Sequence, residues 1–290
     1  MSNDDEDTFC RTLIDYQRYP IDDAKHSERR RAIKECRMAL ASDGCAVLNG
    51  FISPYGLERL LTEVEERKPL AYFSKSKRTN IYFSSDDPSL PPDHPRRTFL
   101  ERTNGFVTSD YFDDNTAARR LYYWSPLTHF VADCLGKETL YIYDDPVSNM
   151  IVNVGKPGTC FNWHFDTNEF TITMLLKPAA SGGHFEYVPN LRSAEDENYE
   201  AVRRVLKGDH SRAVRLDLKP GDLQLFLGRF SLHRVTQNTG DTDRLLLIMS
   251  FAEKPGMIGS QHRIQELYGK VTDAHIEAER NRVRNDALMD

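Results

Sequence analysis

Between residues 138 and 252 the chain is a succession of short apolar segments separated by glycine and proline turns, and no other feature restricts its fold so tightly. "TLYIYDD", "SNMIVNVG", "EFTITMLLK", "HFEYVPN", "AVRLDLK", "DLQLFLG", "HRVTQN" and "RLLLIMSFAE" have the length and the β-branched or aromatic content of strands. Lys156-Pro157-Gly158, Ser181-Gly182-Gly183, Pro220-Gly221-Asp222 and Thr239-Gly240-Asp241 punctuate them. Many short strands with such turns form a sandwich or a barrel.

The first half follows a different grammar. "SERRRAIKECRMALASDG" has apolar residues at helical spacing (Ile33, Cys36, Ala39, Leu40), with Ser27 placed to cap it and Gly44 to stop it. "CAVLNGF" reads as a short strand. "SPYGLERLLTEVEERKP" is a second helix, with Ser53 as cap and Pro54 at its first position. "SPLTHFVADCLG" repeats that pattern from Ser125 to Gly136. Residues 69–115 are rich in Pro, Asp, Ser and Arg with little periodicity, and such a stretch inside a domain reads as a lid-like loop. The expected organisation is an irregular segment over 1–26 and one domain over 27–290. That domain divides into a helical lead-in with lid-like loop (27–137), a β core (138–252) and C-terminal helices (253–290) packed outside the core.

Composition narrows the class. The net charge of −6 and the absence of a basic stripe argue against nucleic acid as a partner. The acidic start "MSNDDEDTFC" has no apolar core of a secretory signal, and no apolar run is long enough to span a bilayer. The five cysteines are scattered, with no CxxC, which suits reduced thiols and a cytoplasmic setting. The terminal pattern "DAHIEAERNRVRNDALMD" offers a helix for a second copy, so a monomer or homodimer is expected.

Chemistry concentrates in "NWHFD". On an extended segment residues i and i+2 share a face, so His164 and Asp166 can bind one metal while Phe165 points away. A three-ligand site needs one more imidazole from a distant strand, and His233 in "GRFSLHRVTQN" follows a "PGD" turn and a strand that return the chain to the same end. Arg244 opens the apolar strand "RLLLIMSF", where a lone guanidinium needs an anionic partner such as a carboxylate. Taken singly, each is more often a structural residue; together, in this order, they point to a metal centre with an anion site beside it. HExxH, zinc-finger spacing, GxGxxG, P-loop and GxSxG patterns are absent.

This set resembles the iron(II)/2-oxoglutarate-dependent oxygenases. The resemblance implies a double-stranded β-helix (jelly roll) core with outer helices, Fe(II) held by His164, Asp166 and His233, 2-oxoglutarate and O2 as co-substrates, and Arg244 on the far carboxylate of 2-oxoglutarate. "NWHFDTNEFTITMLLKPAASGGHFEYVPNLR" is similar to the BesD-like group, which acts on free amino acids. Its halogenases carry Gly where this chain has Asp166, so the resemblance implies a hydroxylase acting on a free amino acid or similar small molecule and argues against halogenation. Desaturation or ring closure is the alternative outcome, and a non-catalytic jelly-roll sensor the alternative class. Asn153 and Thr173 are further candidates for 2-oxoglutarate. Arg102 and Asn104 are candidates for a substrate carboxylate, Asp144, Asp145 and Glu186 for an amine, and Phe161 for an apolar wall that disfavours lysine.

Overall fold

A computed structural model describes residues 3–280. The first half holds helices α1 (Asn3–Leu13), α2 (Ser27–Asp43), α3 (Pro54–Arg67), α4 (Ala117–Tyr123) and α5 (Ser125–Leu135). Between them lie strands β1 (Cys45–Leu48), β2 (Tyr72–Phe73), β3 (Arg78–Asn80), β4 (Phe99–Glu101) and β5 (Gly105–Val107). The second half runs β6 (Tyr141–Ile142), β7 (Met150–Gly155), β8 (Phe161–His164), β9 (Thr171–Lys177), β10 (Phe185–Val188), α6 (Tyr199–Leu206), β11 (Val214–Leu216), β12 (Leu223–Phe226), β13 (Leu232–Val235), β14 (Arg244–Met249) and β15 (Phe251–Ala252). Helices α7 (Gln261–Tyr268) and α8 (Asp273–Arg280) follow.

The strands build a jelly roll. A seven-stranded sheet has the order β1-β12-β9-β14-β7-β5-β2, and a four-stranded sheet the order β11-β10-β13-β8. The pleat sorts their side chains. Met150, Val152 and Val154 on β7, Ile172, Met174 and Leu176 on β9, and Leu245, Leu247 and Met249 on β14 enter one apolar cluster with the helices of the first half. The alternate residues Ile151, Asn153, Thr171, Thr173, Leu246 and Ile248 face a cavity between the sheets. A second cluster, with Trp163, Phe165 and Leu232, lies behind the four-stranded sheet under α6.

The helix boundaries follow local chemistry. Ser53 caps α3 through its side chain, with Pro54 in the first turn. His26, not Ser27, caps α2, and Ser125 is the first residue of α5 rather than its cap. Gly44 and Gly136 end those helices in the left-handed region, at φ 65° and 70°.

Two parts of the expected organisation are corrected. Residues 1–26 are not irregular: α1 buries Cys10 and Leu13, and Ile14, Tyr19 and Ile21 join the same main cluster. Four acidic residues in "NDDED" mask its apolar face in the sequence. The stretch 69–115 is not a loose lid. Ile81, Tyr82, Phe83, Phe106 and Val107 within it are buried, and β5 pairs with β7 as part of the large sheet. The proposed dimer helix lies largely in residues 281–290, outside the described residues. Among the described residues no helix is long and apolar enough to cross a membrane.

Candidate metal centre

β8 and β13 run antiparallel with His164 directly opposite His233. Their rings lie 4.1 Å apart, and the pairing register shifts between His233 and Val235. The shift accompanies a local irregularity that leaves both Phe161 and His164 facing the cavity. Phe161 stacks on the His164 ring at 3.7 Å and 8°. Asp166 lies just past the end of β8, where its backbone N–H donates to the Gly228 carbonyl at 3.1 Å. One donor atom from each of His164, Asp166 and His233 lies within 4.8 Å of the others.

The backbone fixes both imidazoles. His164 Nδ1 is 2.7 Å from the Asn162 carbonyl oxygen and His233 Nδ1 is 3.0 Å from that of Ser231. A carbonyl only accepts, so each Nδ1 carries the proton and each Nε2 offers a lone pair. Burial, then the neighbouring His233, pushes the His164 imidazole well below the ordinary histidine range, so it is neutral and able to ligate. Burial alone would raise the Asp166 carboxyl, but the neighbouring His233, together with His164 and Arg263, outweighs it and the carboxylate form is held. Thr171 Oγ1 donates to Asp166 Oδ2 at 2.8 Å, while Oδ1 faces His233 Nε2 at 3.5 Å. Two imidazoles and one carboxylate on one side of a cavity are the donor set of a non-haem iron centre.

A smaller cavity adjoins the first and ends at Arg244. Arg244 is 5% exposed and has no carboxylate within ion-pair distance among the described residues. Burial lowers its guanidinium to about 10, which leaves it cationic at neutral pH. Gly183, at φ +62°, passes close by: a Cβ there would sit 3.2 Å from Arg244 Cδ. The residues therefore fit iron(II) at the triad and a carboxylate-bearing co-ligand reaching Arg244.

Comparison with known families matches residues 29–263 to the family described as Halogenase D. The chain belongs to the Halogenase D family. No curated protein matches it. Among solved structures it is similar to a prolyl hydroxylase from Trichoplax adhaerens in complex with a hypoxia inducible factor peptide, at 15% identity and TM-score 0.51, covering 78% of this chain and 92% of that one. It is also similar to a 2OG-Fe(II) oxygenase family oxidoreductase from Burkholderia pseudomallei, at 13% identity and TM-score 0.52, covering 77% and 91%. A third is the epimerase SnoN in complex with Fe3+, alpha ketoglutarate and nogalamycin RO, at 14% identity and TM-score 0.52, covering 77% and 84%. At such identities the likeness is one of fold, the jelly roll of the iron/2-oxoglutarate oxygenases.

The remaining sequence candidates distribute unevenly in this Halogenase D family member. Asn153 lines both cavities. Thr173 lines the larger one only, and its hydroxyl donates to Gln224, its partner across β9 and β12, at 2.9 Å. Phe161 lines both. Asn104 reaches the Arg244 cavity, where neither its side-chain O nor N has a partner. Arg102 is 1% exposed, lines neither cavity, and has no hydrogen-bond partner on any guanidinium nitrogen. Glu186 does not reach the site. It stands opposite Arg234 across β10 and β13, on the outer face of the pleat, and accepts from Arg234 Nε at 2.8 Å. Asp145 is fully buried, but its oxygens are taken by the N–H groups of Val147, Ser148 and Gly259 and by His275. Asp144 does not line the cavity.

The sequence reading missed Gly228, Thr171 and the whole contribution of α7. Arg263, Ile264, Leu267 and Tyr268 close one side of the larger cavity, so α7 packs over the mouth of the jelly roll. The glycine after the strand "DLQLF" was the available signal for Gly228.

Proposed function

We propose that this chain is an iron(II)/2-oxoglutarate-dependent oxygenase that hydroxylates an unactivated C–H bond of a small carboxylate-bearing molecule, with free amino acids as the first class to test. The observation that carries the reading is the pairing of His164 and His233, Nε2 lone pairs inward beside Asp166, with an unpartnered buried Arg244 at the end of the adjoining cavity.

His164, Asp166 and His233 would hold iron(II), and Arg244 the far carboxylate of 2-oxoglutarate through a charge-assisted pair. Iron with 2-oxoglutarate and O2 supplies the oxidising power: 2-oxoglutarate loses CO2 and becomes succinate, one oxygen atom entering succinate and the other the substrate C–H bond. The protein's part is orientation and dryness. Phe161, Phe106, Ile151 and Ile264 surround the approach with apolar surface, and Asp166 stands where the resemblance gives the halogenases a glycine. Asp166 thus favours oxygenation over halogenation within the family. The five free thiols fit a cytoplasmic setting.

The test is succinate formation by purified protein with iron(II), 2-oxoglutarate and O2 across a panel of free L-amino acids, with product masses read from the same samples. Stimulation by a panel member with a gain of one oxygen supports the hydroxylase. A loss of two hydrogens would replace hydroxylation by desaturation or ring closure, and no stimulation by any member would sink the amino-acid class.

A further inference from the structure

Among the described side chains that line the larger cavity, Asp166 is the only carboxylate, and it belongs to the metal triad. Arg263 is the only lysine or arginine among those described residues. Its guanidinium lies 4.3 Å over the Phe83 ring and donates from Nη1 to Thr167 Oγ1. No carboxylate among the described residues lies within ion-pair distance of it. The two contacts hold the planar group in place without neutralising it, which is the arrangement of a preset anion site. Arg102, buried and unpartnered, stands behind within electrostatic reach of Arg263, with Glu266 on α7 as the nearby acid. The substrate end of the cavity is therefore short of negative charge.

The same inventory says what is missing. An α-ammonium keeps its own carboxylate beside it, but a distal ammonium carried into this cavity would lose its hydration and meet hydroxyls, amides and aromatic rings, with no acid beyond the one committed to metal. A buried cation without such a partner is costly. An acid group beside Arg263 loses hydration too, but gains a charge-assisted pair.

We propose that Arg263, set by Thr167 and Phe83, is the specificity-determining contact of this site: it seats the substrate's acid group, and the cavity rejects substrates with a distal ammonium. The substrate is then a small acid with an apolar or acidic body. This rests on the oxygenase reading above and deepens it. Thr167 follows Asp166 directly in the chain, so the seat is tied to the metal centre and holds the body of the substrate next to it.

The experiment is calorimetric titration, without O2, of the protein loaded with iron(II) and 2-oxoglutarate, using norleucine, N-acetyl-norleucine, glutamate and lysine as probes. The absorption band of iron-bound 2-oxoglutarate is recorded first. If that band never forms, the oxygenase reading itself fails. With the band present, the acids without a distal ammonium bind at least about tenfold tighter than lysine, the size of one charge-assisted contact. Arg263→Gln weakens them by a similar factor, Arg263→Lys retains part of the binding, and Arg263→Glu reverses the order so that lysine binds best. Circular dichroism of each variant reports folding. A purely structural role for Arg263 would weaken all probes alike and would not reverse their order. Lysine binding as well as the others to the unmodified protein, no binding by any of the acids, or an unchanged order in Arg263→Glu overturns the proposal.

Discussion

Gly228 and Asp166 are in such close approach that a Cβ on Gly228 would lie 2.0 Å from Asp166 Oδ2 and 2.7 Å from its Cγ. The Gly228 carbonyl also accepts the Asp166 backbone N–H. The carboxylate that completes the triad is thus placed by a backbone with no side chain, together with the Thr171 hydroxyl on the same oxygen, Oδ2. Gly228→Ala should push the carboxylate out of position while leaving both imidazoles in place. We expect iron(II) affinity to fall by about tenfold to a hundredfold, the range seen when a metal ligand loses its orienting partner. Equilibrium iron titration, with circular dichroism to verify folding, measures it. Thr171→Val should give a smaller loss in the same direction.

Metal should stabilise the fold, because the three donors come from β8, the turn after it and β13. At a free iron(II) concentration a hundred times its Kd, binding adds about 2.7 kcal/mol to unfolding. Anaerobic thermal melts with iron(II), and again after chelation, should show the rise and its loss. In Asp166→Ala the rise should shrink sharply, since two ligands remain. Equal melts with and without metal in the unmodified protein would remove the metal centre.

Arg244 has no carboxylate partner among the described residues of its cavity, so its replacement should cost co-substrate binding rather than stability. Arg244→Met should weaken 2-oxoglutarate by about tenfold to a hundredfold, corresponding to the ~1.5–3 kcal/mol of a hydrogen bond to a charged group. Arg244→Lys should recover only part of it, because an ammonium cannot reproduce the planar fork. Gly183→Ala places a Cβ 3.2 Å from Arg244 Cδ at a backbone angle that favours glycine, and should weaken 2-oxoglutarate as well. Titration of the iron–2-oxoglutarate absorption band reads all three.

Much of this centre was legible in the sequence because β structure has a period of two. That period put Arg244, Asn153 and Thr173 on cavity faces while their neighbours entered the core. The HxD spacing was legible for a related but different reason. Asp166 leaves β8 rather than continuing it, and Phe165 is buried in the second cluster as the spacing required. Glu186 was misread because the period was applied without the register. Only the pairing of Glu186 with Arg234, one residue from His233, reveals that it points outward. The α7 contribution was out of reach for another reason. Its helical pattern is plain, but where a helix docks depends on contacts with residues more than a hundred positions away, such as Asp145 with Gly259 and His275. Residues 69–115 failed by composition: a few buried aromatics anchor a polar stretch, and propensity averages hide them.

Contacts of the buried Asp145 on either side of α7 hold that helix over the cavity. Asp145 and His275 are both fully buried, with His275 Nε2 3.1 Å from Asp145 Oδ2. The Thr272 backbone N–H donates to His275 Nδ1 at 3.0 Å, so Nδ1 accepts and Nε2 carries the proton given to Asp145. Asp145 thereby ties the segment before α7, through the Gly259 N–H, and the first turn of α8 to the jelly roll. His275→Ala should cut one of these two ties and leave the triad untouched. We expect a loss of about 1–3 kcal/mol in local stability, the cost of leaving a buried acceptor short of its partner. Hydrogen exchange should rise over 259–276 and not over β8 or β13. Because α7 carries Arg263, Ile264, Leu267 and Tyr268 to the cavity wall, substrate KM should rise while the Kd for iron does not. Asp145→Ala should be the more severe change, since it strands three backbone N–H groups as well as the imidazole. Exchange that stays flat across 259–276 in His275→Ala would mean that apolar packing of Ile264 and Leu267 alone holds the helix in place.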